Sequence, residues 1–311
     1  MYGCIHKPHY GVMVINFEAI GAESMTPNVY TNLEENDENQ SEREMIEMEL
    51  LLEGIHRMYG YDFRNYALPS LRRRIWHHIY AEQLNSISGL QEKVLHERAS
   101  FDRLVYNLSI PVTEMFRDPN MFRTFREKII PLLRTFPYIR IWHAGCSTGE
   151  EVFSMAILLH EEGLYDRSRI YATDMNDRSL KIAKEGIVGV QKMESYNQNY
   201  IEAGGTGSLS DYYTAKYNSV IFQPFLRKNI IFAEHNLATD RSFNEFNVIF
   251  CRNVMIYFDD TLRKRVHNLL YDSLSNFGVL VLGSKESTQF TGYEDCYETL
   301  DQREKIYRKI K

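Results

Sequence analysis

Residues 139–156, IRIWHAGCSTGEEVFSMA, constrain this chain more than any other stretch, because an apolar run breaks into glycines and small residues and then resumes with helical spacing. The pattern predicts a strand, a tight turn and a helix. In an open α/β sheet such a turn lies at the carboxyl end of a strand, where small residues admit a ligand and the helix's first N–H groups point into the crevice. No Lys-Ser/Thr pair follows the second glycine, which excludes a Walker loop, and the run does not match G-x-G-x-x-G. Glu150 and Glu151 stand where a phosphate binder would avoid negative charge. Glycines for close approach, beginning with Gly145, and an acid at the helix start suit a ligand with a cationic amine. S-adenosylmethionine, with its α-amino group, sulfonium and ribose, is such a ligand. The competing reading is an ordinary turn with a solvated Glu pair in the first helical turn.

The rest of the chain beyond Ile139 repeats the same unit. Strands are expected at Ile139–His143, Arg169–Thr173, Asn229–Ala233, Asn247–Phe250 and Val279–Leu282, and helices at Glu150–Glu162, Asp177–Lys184 and Asp260–Asn276. This is a doubly wound parallel sheet. Tyr297–Leu300 and Lys305–Lys309 read as a closing antiparallel hairpin. Between about 186 and 228 the rhythm stops, and a segment with GGTG and tyrosines at 196, 200, 212, 213 and 217 reads as an inserted subdomain.

Ahead of the sheet the patterning is helical. Ser41 and Glu44 form a capping box, and Met45, Met48, Leu52 and Ile55 recur at helical spacing, so the first helix is expected to begin there. A second opens at Pro69 and Ser70 and carries Arg72, Arg73 and Arg74 in succession. Three successive residues cannot share one face, so some of them meet solvent or a partner, for which an acidic protein surface is the better match. Further helices fall at Gly89–Glu97 and Ser100–Leu108. Asp118 followed by Pro119 predicts an N-cap with proline at the first helical position, which leaves Thr113–Arg117 as the connector between a small helical unit and the sheet. Residues 1–40, with an apolar piece at Val12–Ile20 and an acidic one starting at Leu33, form an arm with no assigned role.

Composition narrows the partners and the compartment. A formal net charge of -6 argues against a general nucleic-acid binder. Cys4, Cys146, Cys251 and Cys296 are scattered without metal-ligand spacing, so neither a zinc site nor a disulfide framework is expected. With no apolar run of membrane-spanning length and no signal-peptide pattern, the expected compartment is the cytoplasm and no membrane insertion is expected.

Other strand ends supply candidate ligand contacts. Asp174 closes IYATD, where an acid accepts both ribose hydroxyls of an adenosine; strand-end Asp residues also cap helices. His235-Asn236-Leu237 follows the third strand, an amide for an adenine edge and a leucine for its ring, or simply a turn asparagine. FNVIFCRNVMIYFDD turns abruptly polar at Arg252-Asn253, with Tyr257 one turn on.

The runs VTEMFRDP, WHAGCSTGEEVFSMA, ATDMN, HNL and CRNVMIYFD, in this order, resemble the CheR-type chemotaxis receptor methyltransferases over about Glu42 to Lys311. The resemblance implies a class I, Rossmann-like S-adenosylmethionine-dependent methyltransferase fold over 118–311, a helical N-terminal domain over 41–117, and methyl transfer to receptor glutamates with S-adenosylhomocysteine as the second product. By motif position it implies that Thr113 and Arg117 contact the methionine end of the cofactor, Glu151 its amino group, Asp174 the ribose, and Asn236 and Leu237 the adenine side. Arg252, Asn253 and Tyr257 would line the reaction centre, with Arg117 and Tyr257 as the candidate catalytic pair. The expected partner is a chemoreceptor or other signalling protein with acidic helices, docked on Arg72, Arg73 and Arg74 and on the 186–228 insertion, and the chain is expected to be a monomer. Pro111 replaces an asparagine common in the family, which removes one side-chain contact.

Methylation of a carboxylate needs no general base, because the nucleophile is already ionised at neutral pH. Two alternatives stand beside it: an adaptor that binds S-adenosylmethionine without turnover, and a methyltransferase for another acceptor. Base amino-methyltransferases of this fold commonly carry a proline-aromatic motif after the fourth strand, where this chain has CRNVMIY.

Overall fold

The computed structural model describes the backbone of residues 28–109 and 112–311 and the side chains of 40–109 and 112–311. The readings made for Val12–Ile20, Cys4 and Pro111 lie outside the described residues. Helix α1 runs Asn28–Tyr59, so it begins well before Ser41. The Ser41/Glu44 pair sits inside the helix, because no Gly or Pro lies between Asn28 and Gly54 to break it. From Ile46 to Lys311 the chain forms one compact unit.

Within that unit α1 meets α2 (Leu68–Ala81), α3 (Ile87–His96) and α4 (Arg98–Leu108) around one small core. Met48, Leu51, Leu52 and Ile55 of α1 face Leu71, Ile75 and Ile79 of α2 and Phe101, Leu104 and Leu108 of α4, all buried at helical spacing. Ser86 caps α3 by accepting from the Gly89 N–H at 3.0 Å. Beyond the connector, α5 (Pro119–Thr124), a single π turn (Phe125–Ile129) and α6 (Ile130–Leu133) run on continuously to the sheet.

The sheet contains β1 (Ile139–Ala144), β2 (Ser168–Asp174), β6 (Ile230–Glu234), β7 (Phe246–Cys251), β8 (Leu274–Leu282), β9 (Tyr297–Asp301) and β10 (Ile306–Lys309), in the order β6-β2-β1-β7-β8-β10-β9. β6 to β8 are parallel and the β9/β10 hairpin is antiparallel. The order reverses at β1, between β2 and β7, which opens a crevice at the carboxyl ends of those strands. Side chains alternate across β1: Ile139 and Ile141 pack with α7 (Glu150–Glu161), whereas Trp142 and Ala144 pack with α10 (Asp260–Ser273). α8 (Asp177–Glu185) starts at Asn176, whose side chain accepts from Arg178 and Ser179 N–H groups. The helix expected to reach Asn276 ends at Ser273, and β8 starts at Leu274, paired with Phe246. Pairing with β7 outweighs the helical continuation there.

The insertion folds as a three-stranded antiparallel sheet, β3 (Ile187–Gly189), β5 (Ser219–Phe222) and β4 (Tyr213–Lys216) in that order, with α9 (Met193–Glu202) alongside. Its tyrosines are mainly core. Tyr196, Tyr200 and Tyr212 are buried, and the Tyr200 and Tyr212 hydroxyls donate to Glu161 of α7, which also pairs with Arg126. Tyr217, at the β4–β5 turn, is 92% exposed.

Candidate active site

The β1–α7 turn is built by backbone that most residues avoid. Gly145 and Gly149 adopt φ +79° and +92°. The N–H groups of Gly145 and Cys146 both donate to the Thr173 carbonyl at 2.8 Å, which ties the turn to the end of β2. A Cβ on Gly145 would fall 2.6 Å from Val254, so this glycine makes room chiefly for the loop after β7.

The two glutamates of the turn part company. Glu150 is buried and accepts from the Thr148 hydroxyl at 2.6 Å. Glu151 faces the crevice, one oxygen 2.9 Å from His143 Nδ1 and the other 2.8 Å from Arg252 Nη1. Burial pushes the Glu151 carboxyl up, but Arg252 and His143 more than offset it and hold it at about 2. Arg252 is itself buried and pairs at 2.6 Å with Asp118. Asp118 therefore does not cap α5 as expected: it takes φ +56°, makes no cap bond, and spends its carboxylate on Arg252. A guanidinium with two carboxylates leaves one net negative charge on this side of the crevice.

At the end of β2, Asp174 accepts from the Ser147 N–H at 2.8 Å and from the Asn176 N–H at 2.9 Å, one bond per oxygen. Each oxygen keeps a lone pair for a further donor. Burial pushes this carboxyl up, and the backbone bonds oppose that shift. Asn236 accepts from the Ala238 N–H at 2.9 Å in an Asx turn, which leaves its amide NH₂ for the crevice. Asn253, at φ +59°, is held by Glu286, whose buried carboxylate accepts from the N–H groups of Asn253, Val254, Met255 and Gly283 at 2.7–2.9 Å. Tyr257 lies under the Arg74 guanidinium, 4.6 Å from its ring centroid. Arg74 also donates to the Leu108 carbonyl at 2.6 Å. It thus faces inward, which removes it from the docking face expected for Arg72–Arg74.

Thr113, Arg117, Gly145, Glu151, Asp174, Asn236, Leu237, Arg252, Asn253 and Tyr257 all line one cavity that opens to solvent. Sequence reasoning missed His143, Glu286 and Tyr66. Tyr66 reaches the cavity from the α1–α2 connection and puts its hydroxyl 3.4 Å from Met175 Sδ. A polar residue in an apolar strand was the available signal for His143; Glu286 and Tyr66 reach the site only through tertiary packing. The donor set fits S-adenosylmethionine: an acid for the ammonium, an acid with two spare lone pairs for a diol, and an apolar wall of Tyr66, Met175, Leu237 and Phe258 for a base. The buried Ser147 hydroxyl, also on the cavity, lacks a partner among the described residues.

Comparison with known families agrees. A family model described as the SAM binding domain of CheR methyltransferases matches residues 111–306, and one described as the CheR methyltransferase all-alpha domain matches 46–109. A Pseudomonas putida protein with the provisional name methyltransferase Cher3 is 51% identical over 264 residues, 85% of this chain and 97% of that one. A chemotaxis protein methyltransferase of Listeria innocua is 29% identical over 239 residues, 75% of this chain and 86% of its own. Chemotaxis protein methyltransferase 1 of Vibrio cholerae is 29% identical over 247 residues, 74% and 84% respectively.

Proposed function

The chain belongs to the CheR methyltransferase family, S-adenosylmethionine-dependent methyltransferases of chemotaxis, and from that premise we propose that it forms methyl esters on glutamate side chains of a chemoreceptor or related signalling protein. The observation that carries the reading is the charge arrangement in the cavity. Glu151 is already engaged with Arg252 and His143, whereas among the described residues the Arg117 guanidinium makes only a 3.4 Å contact to the Val112 carbonyl. A guanidinium so lightly engaged, beside a pocket for a sulfonium cofactor, suits a carboxylate, either that of the cofactor or that of the acceptor.

In this reading Glu151 receives the cofactor's amino group, Asp174 the ribose hydroxyls, and Asn236 and Leu237 the adenine. Thr113 and Arg117 hold the methionine end. Arg252, Asn253 and Tyr257 border the reacting atoms, and Glu286 and Arg74 fix the loop that carries them. The cofactor supplies an electrophilic methyl group on a sulfonium. The residues around it supply alignment for in-line attack by an ionised carboxylate, worth roughly 7 to 11 kcal/mol, and exclusion of water. No side chain has to remove a proton. The exposed Arg72 and Arg73 on α2, beside Trp76 and Tyr80, together with the insertion, form the proposed docking surface for acidic receptor helices, and the proposed compartment is the cytoplasm.

The test is incubation with methyl-labelled S-adenosylmethionine and membranes of the source organism. A labelled membrane-protein band supports receptor methylation. Tight cofactor binding with no labelled acceptor would instead favour the adaptor reading.

A further inference from the structure

His143 is buried at 1% exposure in the middle of an apolar strand. It lies on the β1 face of Ile139 and Ile141, its ring stacked on Phe250 at 4.7 Å and 6°. Its Nδ1 stands 2.9 Å from Glu151 Oε1, and its Nε2 has no partner among the described residues. A carboxylate can only accept, so Nδ1 carries the proton and Nε2 is left as a stranded buried acceptor. Stranding an acceptor disfavours the fold, and an aromatic hydrocarbon would fill the same place without it. What the imidazole adds over such a ring is the bond to Glu151.

Glu151 lies in the first turn of α7 and needs a fixed rotamer to aim at the cavity. Arg252 holds one oxygen, at 2.8 Å, but it also pulls toward Asp118, 2.6 Å away on the far side. One bond leaves the carboxylate free to swing about that oxygen, and a second bond to the other oxygen fixes its plane. We propose that His143 is a positioning residue that sets the Glu151 carboxylate plane for the cofactor's amino group and acts on cofactor binding only through Glu151. The proposal rests on the assignment of Glu151 to that amino group.

The test is calorimetry with two ligands: S-adenosylhomocysteine, which carries the amino-acid end, and 5′-methylthioadenosine, which lacks it. His143→Phe keeps the stack and removes the donor, and His143→Leu is a second variant without a donor should the first fail to fold. His143→Asn places an amide nitrogen about where Nδ1 stands. Expected results are about tenfold weaker S-adenosylhomocysteine binding by His143→Phe, unchanged 5′-methylthioadenosine binding, a melting temperature that does not fall, and recovery in His143→Asn. In a Glu151→Gln background His143→Phe should have no further effect. Native-like S-adenosylhomocysteine binding by His143→Phe, equal loss of both ligands, or a full His143 effect without Glu151 would overturn the proposal. Native-like S-adenosylhomocysteine binding by Glu151→Gln would instead overturn the Glu151 assignment beneath it.

Discussion

Asp174→Ala should abolish cofactor binding in practice, and the structure gives its size. On the ribose assignment the carboxylate accepts from two hydroxyls through the lone pairs left free by Ser147 and Asn176. Hydrogen bonds to a charged group contribute about 1.5–3 kcal/mol each, so losing both costs roughly 3–6 kcal/mol, a dissociation constant at least ~100-fold weaker. The same change strands the Ser147 and Asn176 N–H groups, at about 1–3 kcal/mol each where water cannot reach them, so the ligand-free protein should also melt earlier. The two effects are separable by titrating S-adenosylhomocysteine calorimetrically well below the variant's melting temperature. A folded variant whose dissociation constant changes less than about tenfold would refute the ribose assignment, and with it the picture of Asp174 as a carboxylate with two lone pairs in reserve.

Arg117→Ala should lower methyl transfer far more than the melting temperature, since among the described residues its guanidinium makes only the long Val112 contact; unchanged turnover would remove Arg117 from the site. Glu286→Ala leaves four N–H groups around the Asn253 loop without their acceptor, so a melting temperature several degrees lower and weakened cofactor binding are expected by scanning calorimetry and titration, and native values for both would show that the loop holds itself. Burial holds the His267 imidazole down at about 4, against about 6.5 in an unfolded chain. The unfolded state therefore binds a proton that the fold refuses between those values, and about 3 kcal/mol of stability present above pH ~6.5 is lost as pH falls toward ~4. Urea unfolding of His267→Leu should show a flatter profile in that window, and an unchanged slope would assign the acid sensitivity to other groups.

The fold was largely legible because its signals are local. The 139–156 run, the later strand–helix alternation and the final hairpin each announce themselves within a few residues, and the strand-end positions of Asp174, Asn236 and Arg252 follow from topology alone. Misreadings arose where a local motif met a longer-range demand. The Ser41/Glu44 capping box is a sequence pattern inside a helix that simply continues. Asp118 precedes a proline as an N-cap should, but the buried Arg252 guanidinium claims its carboxylate. Arg74 sits in a run of exposed-looking charges and turns inward because Leu108 and Tyr257 offer it a carbonyl and a ring. Glu286 was invisible for the converse reason: its partners at 253–255 lie beyond β7 and come near only when β7 and β8 pair, whereas His143 was marked only by its polarity within an apolar strand.

The central claim is the nature of the acceptor atom, and the chemistry of the product tests it most directly. A methyl group on a glutamate carboxylate is an ester, which hydroxide cleaves to methanol; a methyl group on nitrogen has no such route. Protein labelled from methyl-labelled S-adenosylmethionine should release its label as volatile methanol on mild alkaline treatment. Label that stays on the acceptor would contradict carboxyl methylation, whatever that acceptor is.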